Sequence, residues 1–159
     1  MDKQLIIKKD GELIVDFKYY ERINEIRGES GSGKTKMIRD ISNILKLYKN
    51  NTGRVESNIE MDKIQIMDDN SIEHNNFSNW DTGGYLIFID NYDRKFNDHL
   101  YKFVRESKNT FFLISRVYGL AGSSMLGANM LKYDGKTYRL VNRIRDLNEY
   151  LDMYMKYGY

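Results

Sequence analysis

Apolar positions fall into short alternating or continuous runs, broken by Asp-Gly dipeptides and by Asn-, Ser- and Gly-rich segments, with longer stretches at helical spacing between them. Gln4 to Ile7 and Leu13 to Phe17 flank Asp10-Gly11, a dipeptide favoured in type I′ turns because both positions accept positive φ, and they predict an N-terminal hairpin. Arg22 to Arg27, with Ile23 and Ile26 as its apolar residues, reads as the strand that the glycine-rich segment behind it requires. From Lys34 the apolar residues are Met37, Ile38, Ile41, Ile44, Leu45 and Tyr48, the i, i+3, i+4, i+7 stripe of a half-buried helix. Asn50-Asn51-Thr52-Gly53 should end it.

Ile64 to Met67 predicts a short strand, and the polar stretch from Asp68 to Thr82 a mobile loop. Tyr85 to Ile89 is continuously apolar, as expected of a parallel strand buried on both faces. Phe96, Leu100, Phe103 and Val104 mark a helix, and Thr110 to Ile114 a second buried strand, so this stretch reads as a parallel βαβ unit. After the Gly- and Ser-rich segment from Gly119 to Gly127, Met130 to Tyr133 and Lys136 to Leu140 flank Asp134-Gly135 as a second hairpin. Ile144, Leu147, Leu151 and Tyr154 stripe a closing helix.

Composition narrows the class. A chain of 159 residues, 41% apolar and 30% charged, predicts one globular domain over residues 1–159. The formal charge of +2, with acids and bases interleaved, gives no field that argues for nucleic acid or anionic lipid. With no cysteine, disulfides and thiolate chemistry are excluded. The N-terminal apolar run is too short for a secretory signal, and nothing approaches the roughly 20 apolar residues of a membrane span, so the expected compartment is the cytoplasm. Richness in Lys, Asn, Ile and Tyr without proline points to an AT-rich coding sequence, bacterial or from a bacterial mobile element.

The strongest chemical signal is Gly28-Glu29-Ser30-Gly31-Ser32-Gly33-Lys34-Thr35, which satisfies G-x-x-x-x-G-K-[ST] in full and precedes an amphipathic helix. Its glycines let backbone N–H groups turn inward toward phosphate oxygens, and the helix adds its positive end. Lys34 would reach the β and γ phosphates and Thr35 would offer a hydroxyl to Mg²⁺, which takes few protein ligands. Lys36 completes the predicted nucleotide-binding set. Asp90, ending LIFID, is the candidate second magnesium ligand. Asp93 suits either a helix cap or a second acid near the reacting water. Asn91 holds the place where many related ATPases carry a Glu, and an amide cannot accept a proton, so hydrolysis is expected to be slow. Ser115-Arg116 closes FFLISR, where Arg116 would either sense the γ-phosphate or lie on the surface.

At these stations the chain resembles the KAP- and STAND-type P-loop ATPases. GESGSGKT is similar to the KAP form G-E-W-G-S-G-K-[ST], with Ser30 in place of tryptophan. FIDNYDR resembles hhhIDDLDR at Asp90, Asp93 and Arg94, and the ISR ending at Arg116 resembles the STAND sensor hhhTSR. The resemblance implies an ATP- and Mg²⁺-dependent switch, with Lys34, Thr35, Asp90, Asp93 and Arg116 around the nucleotide and a protein partner or self-association as its output. The expected fold is α/β: a three-layer sandwich of the P-loop NTPase type with a mostly parallel central sheet, added antiparallel hairpin strands, and the Thr110 strand between the glycine-loop strand and the Tyr85 strand.

Three other readings compete with this one. Asp81-Thr82-Gly83-Gly84 fits the D-x-x-G of GTPases, but Asn91-Tyr92-Asp93-Arg94 follows too closely and lacks the lysine of N-K-x-D. A small-molecule or nucleoside kinase would share the predicted fold, with Arg139, Arg143 and Arg145 as a lid. A nucleotide-dependent binding module without turnover would dock a partner through Tyr150, Tyr154, Tyr157 and Tyr159, although tyrosines at this spacing also suit a core.

Overall fold

The computed structural model describes residues 3–27 and 33–157. The N-terminal hairpin forms as the pattern requires: β1 (Lys3–Lys9) and β2 (Glu12–Tyr19) pair antiparallel around Asp10 (φ 51°) and Gly11 (φ 81°). The next strand, β3 (Ile23–Arg27), leads toward helix α1 (Lys34–Lys49), whose Met37, Ile41 and Ile44 are buried. Then come β4 (Val55–Ser57), β5 (Ile64–Ile66), α2 (Asp69–Glu73) and β6 (Leu86–Ile89). The rest of the chain forms α3 (Tyr92–Lys95), α4 (Asp98–Glu106), β7 (Thr110–Ser115), β8 (Ala128–Tyr133), β9 (Tyr138–Asn142) and α5 (Leu147–Tyr157).

All these strands form one sheet in the order β4-β1-β2-β9-β8-β3-β7-β6-β5. From β8 to β5 the neighbours run parallel, with Ile26 level with Ile114 and Phe88 level with Phe112. The pairs β1–β2, β1–β4 and β8–β9 are antiparallel, and β2–β9 is parallel. Successive side chains leave a strand on opposite faces, so each strand feeds two cores. One face buries Ile26, Phe88, Phe112 and Ile114 together with α1 and with Leu5, Ile7, Val15 and Phe17 of the hairpin. The other buries Ile87, Ile89, Phe111 and Leu113 against Leu100 and Val104 of α4 and against Ile72 and Trp80.

The expected three-layer P-loop sandwich, with a mostly parallel central sheet and attached hairpins, is therefore corrected. The sheet is mixed and nine-stranded and curls as a half-barrel. The physical reason lies in the hairpin strands: Leu5, Ile7, Val15 and Phe17 are fully buried in the same core as Phe88 and Phe112, and β2 bonds β9 along its edge. An apolar strand face of that size is stabilised only by sharing the main core, so the hairpin becomes part of the sheet rather than an addition. The expected strand order holds, since β7 lies between β3 and β6.

Three local differences have simple causes. The polar stretch from Asp68 is ordered: Asp68 caps α2 by accepting the Ser71 N–H at 2.7 Å, and Ile72, Trp80 and the stacked Phe77–Phe103 pair pin it to the core. The helix expected from Phe96 to Val104 forms as α4 but starts only at Asp98, because Asn97 accepts the Leu100 N–H and caps it there. The stripe Ile144, Leu147, Leu151 and Tyr154 faces outward, 48%, 48%, 47% and 40% exposed, while α5 packs inward through Tyr150 and Met153. Among the described residues no helix is long and apolar enough to cross a membrane.

Candidate functional site

Three buried strands, β3, β7 and β6, end side by side, since Arg27 pairs with Ser115 and Leu113 with Ile89. Asp90 and Arg116, which follow β6 and β7 in the chain, therefore stand at this end of the sheet. Behind β3 comes the glycine motif, of which Gly28, Glu29, Ser30, Gly31 and Ser32 lie outside the described residues. Gly33 (φ 99°) precedes α1, and that backbone conformation favours glycine. Lys34 and Thr35 occupy the first turn of α1; Lys34 is half-buried and Thr35 exposed.

Asp90 follows β6 and is half-buried. Its Oδ1 accepts the N–H of Asn91 at 2.9 Å, and Asn91 is left-handed (φ 52°), which turns the chain abruptly into α3. The other carboxylate oxygen of Asp90 meets no donor among the described residues.

Asp93 and Arg116 are brought together. The Arg116 Nε donates to Asp93 Oδ2 at 2.9 Å; the Asp93 side chain is only 8% exposed and that of Arg116 58%. Asp93 thus pairs across from α3 to the end of β7 instead of capping a helix, and its Oδ1 is buried without a partner among the described residues. The neighbouring Tyr92 hydroxyl is also buried and without a partner among the described residues, and its pKa is raised, chiefly by burial and secondarily by Glu25 and Tyr101. Ser115 is buried, and its hydroxyl accepts the Val117 N–H.

Lys36 is directed elsewhere. Its ammonium donates to Asp40 at 2.8 Å, to Tyr133 at 3.2 Å and to Tyr138 at 3.4 Å, and these bonds hold its pKa above the ordinary lysine value, that to Asp40 foremost. The Tyr138 hydroxyl donates to the same Asp40 oxygen at 2.6 Å. Tyr133 and Tyr138, which flank the second hairpin turn, stack with ring centroids 4.3 Å apart.

One participant went unnoticed in the sequence pattern. Glu25, in the middle of β3, is 1% exposed, and its carboxylate accepts from Gly119 N at 2.9 Å, from Ala121 N at 3.4 Å and from the Ser123 hydroxyl at 2.6 Å. It fastens the segment after Arg116 to the strand that enters the glycine motif. Arg27 lies 5.5 Å from the centroid of the Tyr118 ring, and the Tyr118 hydroxyl donates to Asn129 O and accepts from Tyr150. The available signal was an acid inside an otherwise apolar strand, INEIR, placed just before the glycine motif.

Among the described residues no three His, Asp or Glu side chains converge; the exposed Thr35 hydroxyl in the first turn of α1 and the Asp90 carboxylate behind β6 are oxygen groups of the hard kind that a magnesium ion accepts. No protein-family model matches the chain, and no curated protein is similar to it.

Proposed function

We propose that the chain binds ATP with Mg²⁺ and works as a slowly hydrolysing, nucleotide-dependent switch for a protein partner in the cytoplasm. The reading is carried by one observation: a complete G-x-x-x-x-G-K-[ST] pattern joins the buried parallel strand β3 to the sixteen-residue helix α1. The loop amides and Lys34 would grip the phosphates. Thr35 and Asp90 would hold the magnesium ion, directly or through water, and the ion would neutralise charge on the phosphates.

Slow turnover follows from the acids. Asn91 cannot take a proton, and Asp93 is already engaged by Arg116, so it orients water only after that pair opens. The γ-phosphate would compete with Asp93 for Arg116, which gives the switch its two positions. The same pairing favours a second reading, a module that binds nucleotide without turning it over. A kinase is the third, distinguished by phosphate transfer only to an added acceptor.

The binding test is the melting temperature with and without Mg²⁺-ATP for wild type and Lys34→Ala. Nucleotide at a hundred times its dissociation constant should add about 2.7 kcal/mol to the folded wild type and much less to the variant. An equal shift in both proteins, or none in either, sinks the assignment. Magnesium-dependent phosphate release then separates the switch from the module.

A further inference from the structure

The described part of the molecule has a groove beside α1, with a cavity of about 270 Å³, lined among others by Lys9, Glu12, Lys36, Asp40, Tyr133 and Lys136. Three observations give it a purpose. The first is direction. Asp90 and Arg116 follow β6 and β7, on one flank of β3, whereas β8 pairs along the opposite flank, with Arg27 level with Met130. A nucleotide whose terminal phosphate lies toward Asp90 and Arg116 therefore extends toward the β8–β9 hairpin.

The second is contiguity. A Cβ built on Gly33, the last residue before α1, would stand 3.8 Å from Tyr133 Cβ and 3.9 Å from Tyr138 Cε1. The end of the glycine motif thus abuts the two tyrosines. The third is chemistry. Tyr138 is buried and stacks on Tyr133, which is half-buried and lines the groove with its remaining surface. The hydroxyls of both rings accept from Lys36, and Asp40 accepts from Lys36 and from Tyr138, so the aromatic platform is fixed in advance and loses little freedom on binding. Stacking on such a platform holds any nucleobase, because every base has a π face.

We propose that this groove is the nucleobase site: Tyr133, backed by Tyr138 and braced by Lys36 and Asp40, stacks on the base of the nucleotide whose phosphates the glycine motif grips. The inference rests on the nucleotide reading above. It assigns Lys36 a positioning role, holding the tyrosines at the base end of the ligand.

Calorimetric titration with Mg²⁺-ATP and with Mg²⁺-tripolyphosphate, which keeps the phosphates and lacks the base, tests it. Wild type should bind ATP more tightly than tripolyphosphate. Tyr133→Leu, which keeps apolar volume without the π face, should weaken ATP about tenfold and leave tripolyphosphate unchanged, and Tyr133→Phe, which keeps the π face and gives up only the bond from Lys36, should bind ATP more tightly than Tyr133→Leu does. Far-UV circular dichroism establishes that each variant is folded. The proposal is overturned if Tyr133→Leu leaves ATP affinity unchanged or weakens both ligands equally. A wild type that binds tripolyphosphate as tightly as ATP overturns the base site and leaves phosphate binding intact. A wild type that binds neither overturns both readings.

Discussion

At Gly127 the side chain is absent because there is no room for one. A Cβ built there would collide with the Ile23 carbonyl oxygen, a backbone atom that cannot swing aside. Gly127→Ala should therefore cost about 1 to 3 kcal/mol by forcing β3 away from the turn that enters β8. Urea unfolding checks this through a lower midpoint at an unchanged slope, and an unchanged midpoint would mean that the contact yields without cost. Single residues of this kind are where sequence reading was weakest. Lys34, Thr35, Asp90 and Arg116 stood out because a short motif carries its own spacing. Glu25 did not, because its partners Gly119, Ala121 and Ser123 come from a distant segment whose approach no local pattern announces. Its burial is tolerated because two backbone amides and a hydroxyl replace the water it loses.

Between β9 and α5 the decisive contact is a carboxylate that fastens the strand end to the helix start. Asp146 Oδ2 accepts the Asn142 N–H at 2.9 Å and two bonds from the Arg145 guanidinium at 2.9 and 2.6 Å, and Arg145 in turn donates to Leu140 O and Lys18 O. Burial pushes the Asp146 carboxyl up, but the bonds from Arg145 and Asn142 prevail and hold it below the ordinary carboxylate value. A lowered folded-state pKa means that the stabilisation is present above the unfolded value, about 3.9, and is lost as pH falls through the folded one. Asp146→Asn should accordingly melt below wild type at pH 7, with the gap closing in acid below about pH 4. A gap that stays constant from pH 7 to pH 2 would show that the charge contributes nothing. Elements themselves were well marked where periodicity or turn chemistry was strong, as in β1, β2, α1 and β7. They were missed where it was weak: the five residues of α2 are too few for a helical stripe, and β4 is three residues held at an edge by β1. The orientation of α5 was also illegible, because two apolar stripes compete on it and only the partner surface, Met130, Val141 and Tyr118, selects Tyr150 and Met153.

Across the molecule, the place of β7 between β3 and β6 could be read from motif positions, whereas the joining of the hairpin strands to them could not. That joint is the β2–β9 pairing of Val15 with Tyr138 and Asp16 with Arg139, reinforced by the Thr137 hydroxyl donating to Leu13 O at 2.8 Å. Its partners lie at opposite ends of the chain, and a pairing of that range leaves no local trace. Its energetic weight is borne by Phe17, which is fully buried with its ring centroid 5.4 Å from that of Phe112 and 6.4 Å from that of Phe88. One hydrophobic core thus spans the hairpin, α1 and the parallel strands, while Trp80 reports from the core on the other face of the sheet. If the two faces unfold as one, a defect under the hairpin must reach Trp80. Phe17→Ala removes a buried aromatic ring and should cost about 3 to 5 kcal/mol. Circular dichroism in the far ultraviolet and Trp80 fluorescence should give coincident urea transitions in wild type, and both should move to lower denaturant together in the variant. An early loss of circular dichroism with the Trp80 transition left in place would instead mean that the hairpin is an appendage that unfolds by itself, and that the continuity of the nine-stranded sheet contributes little to stability.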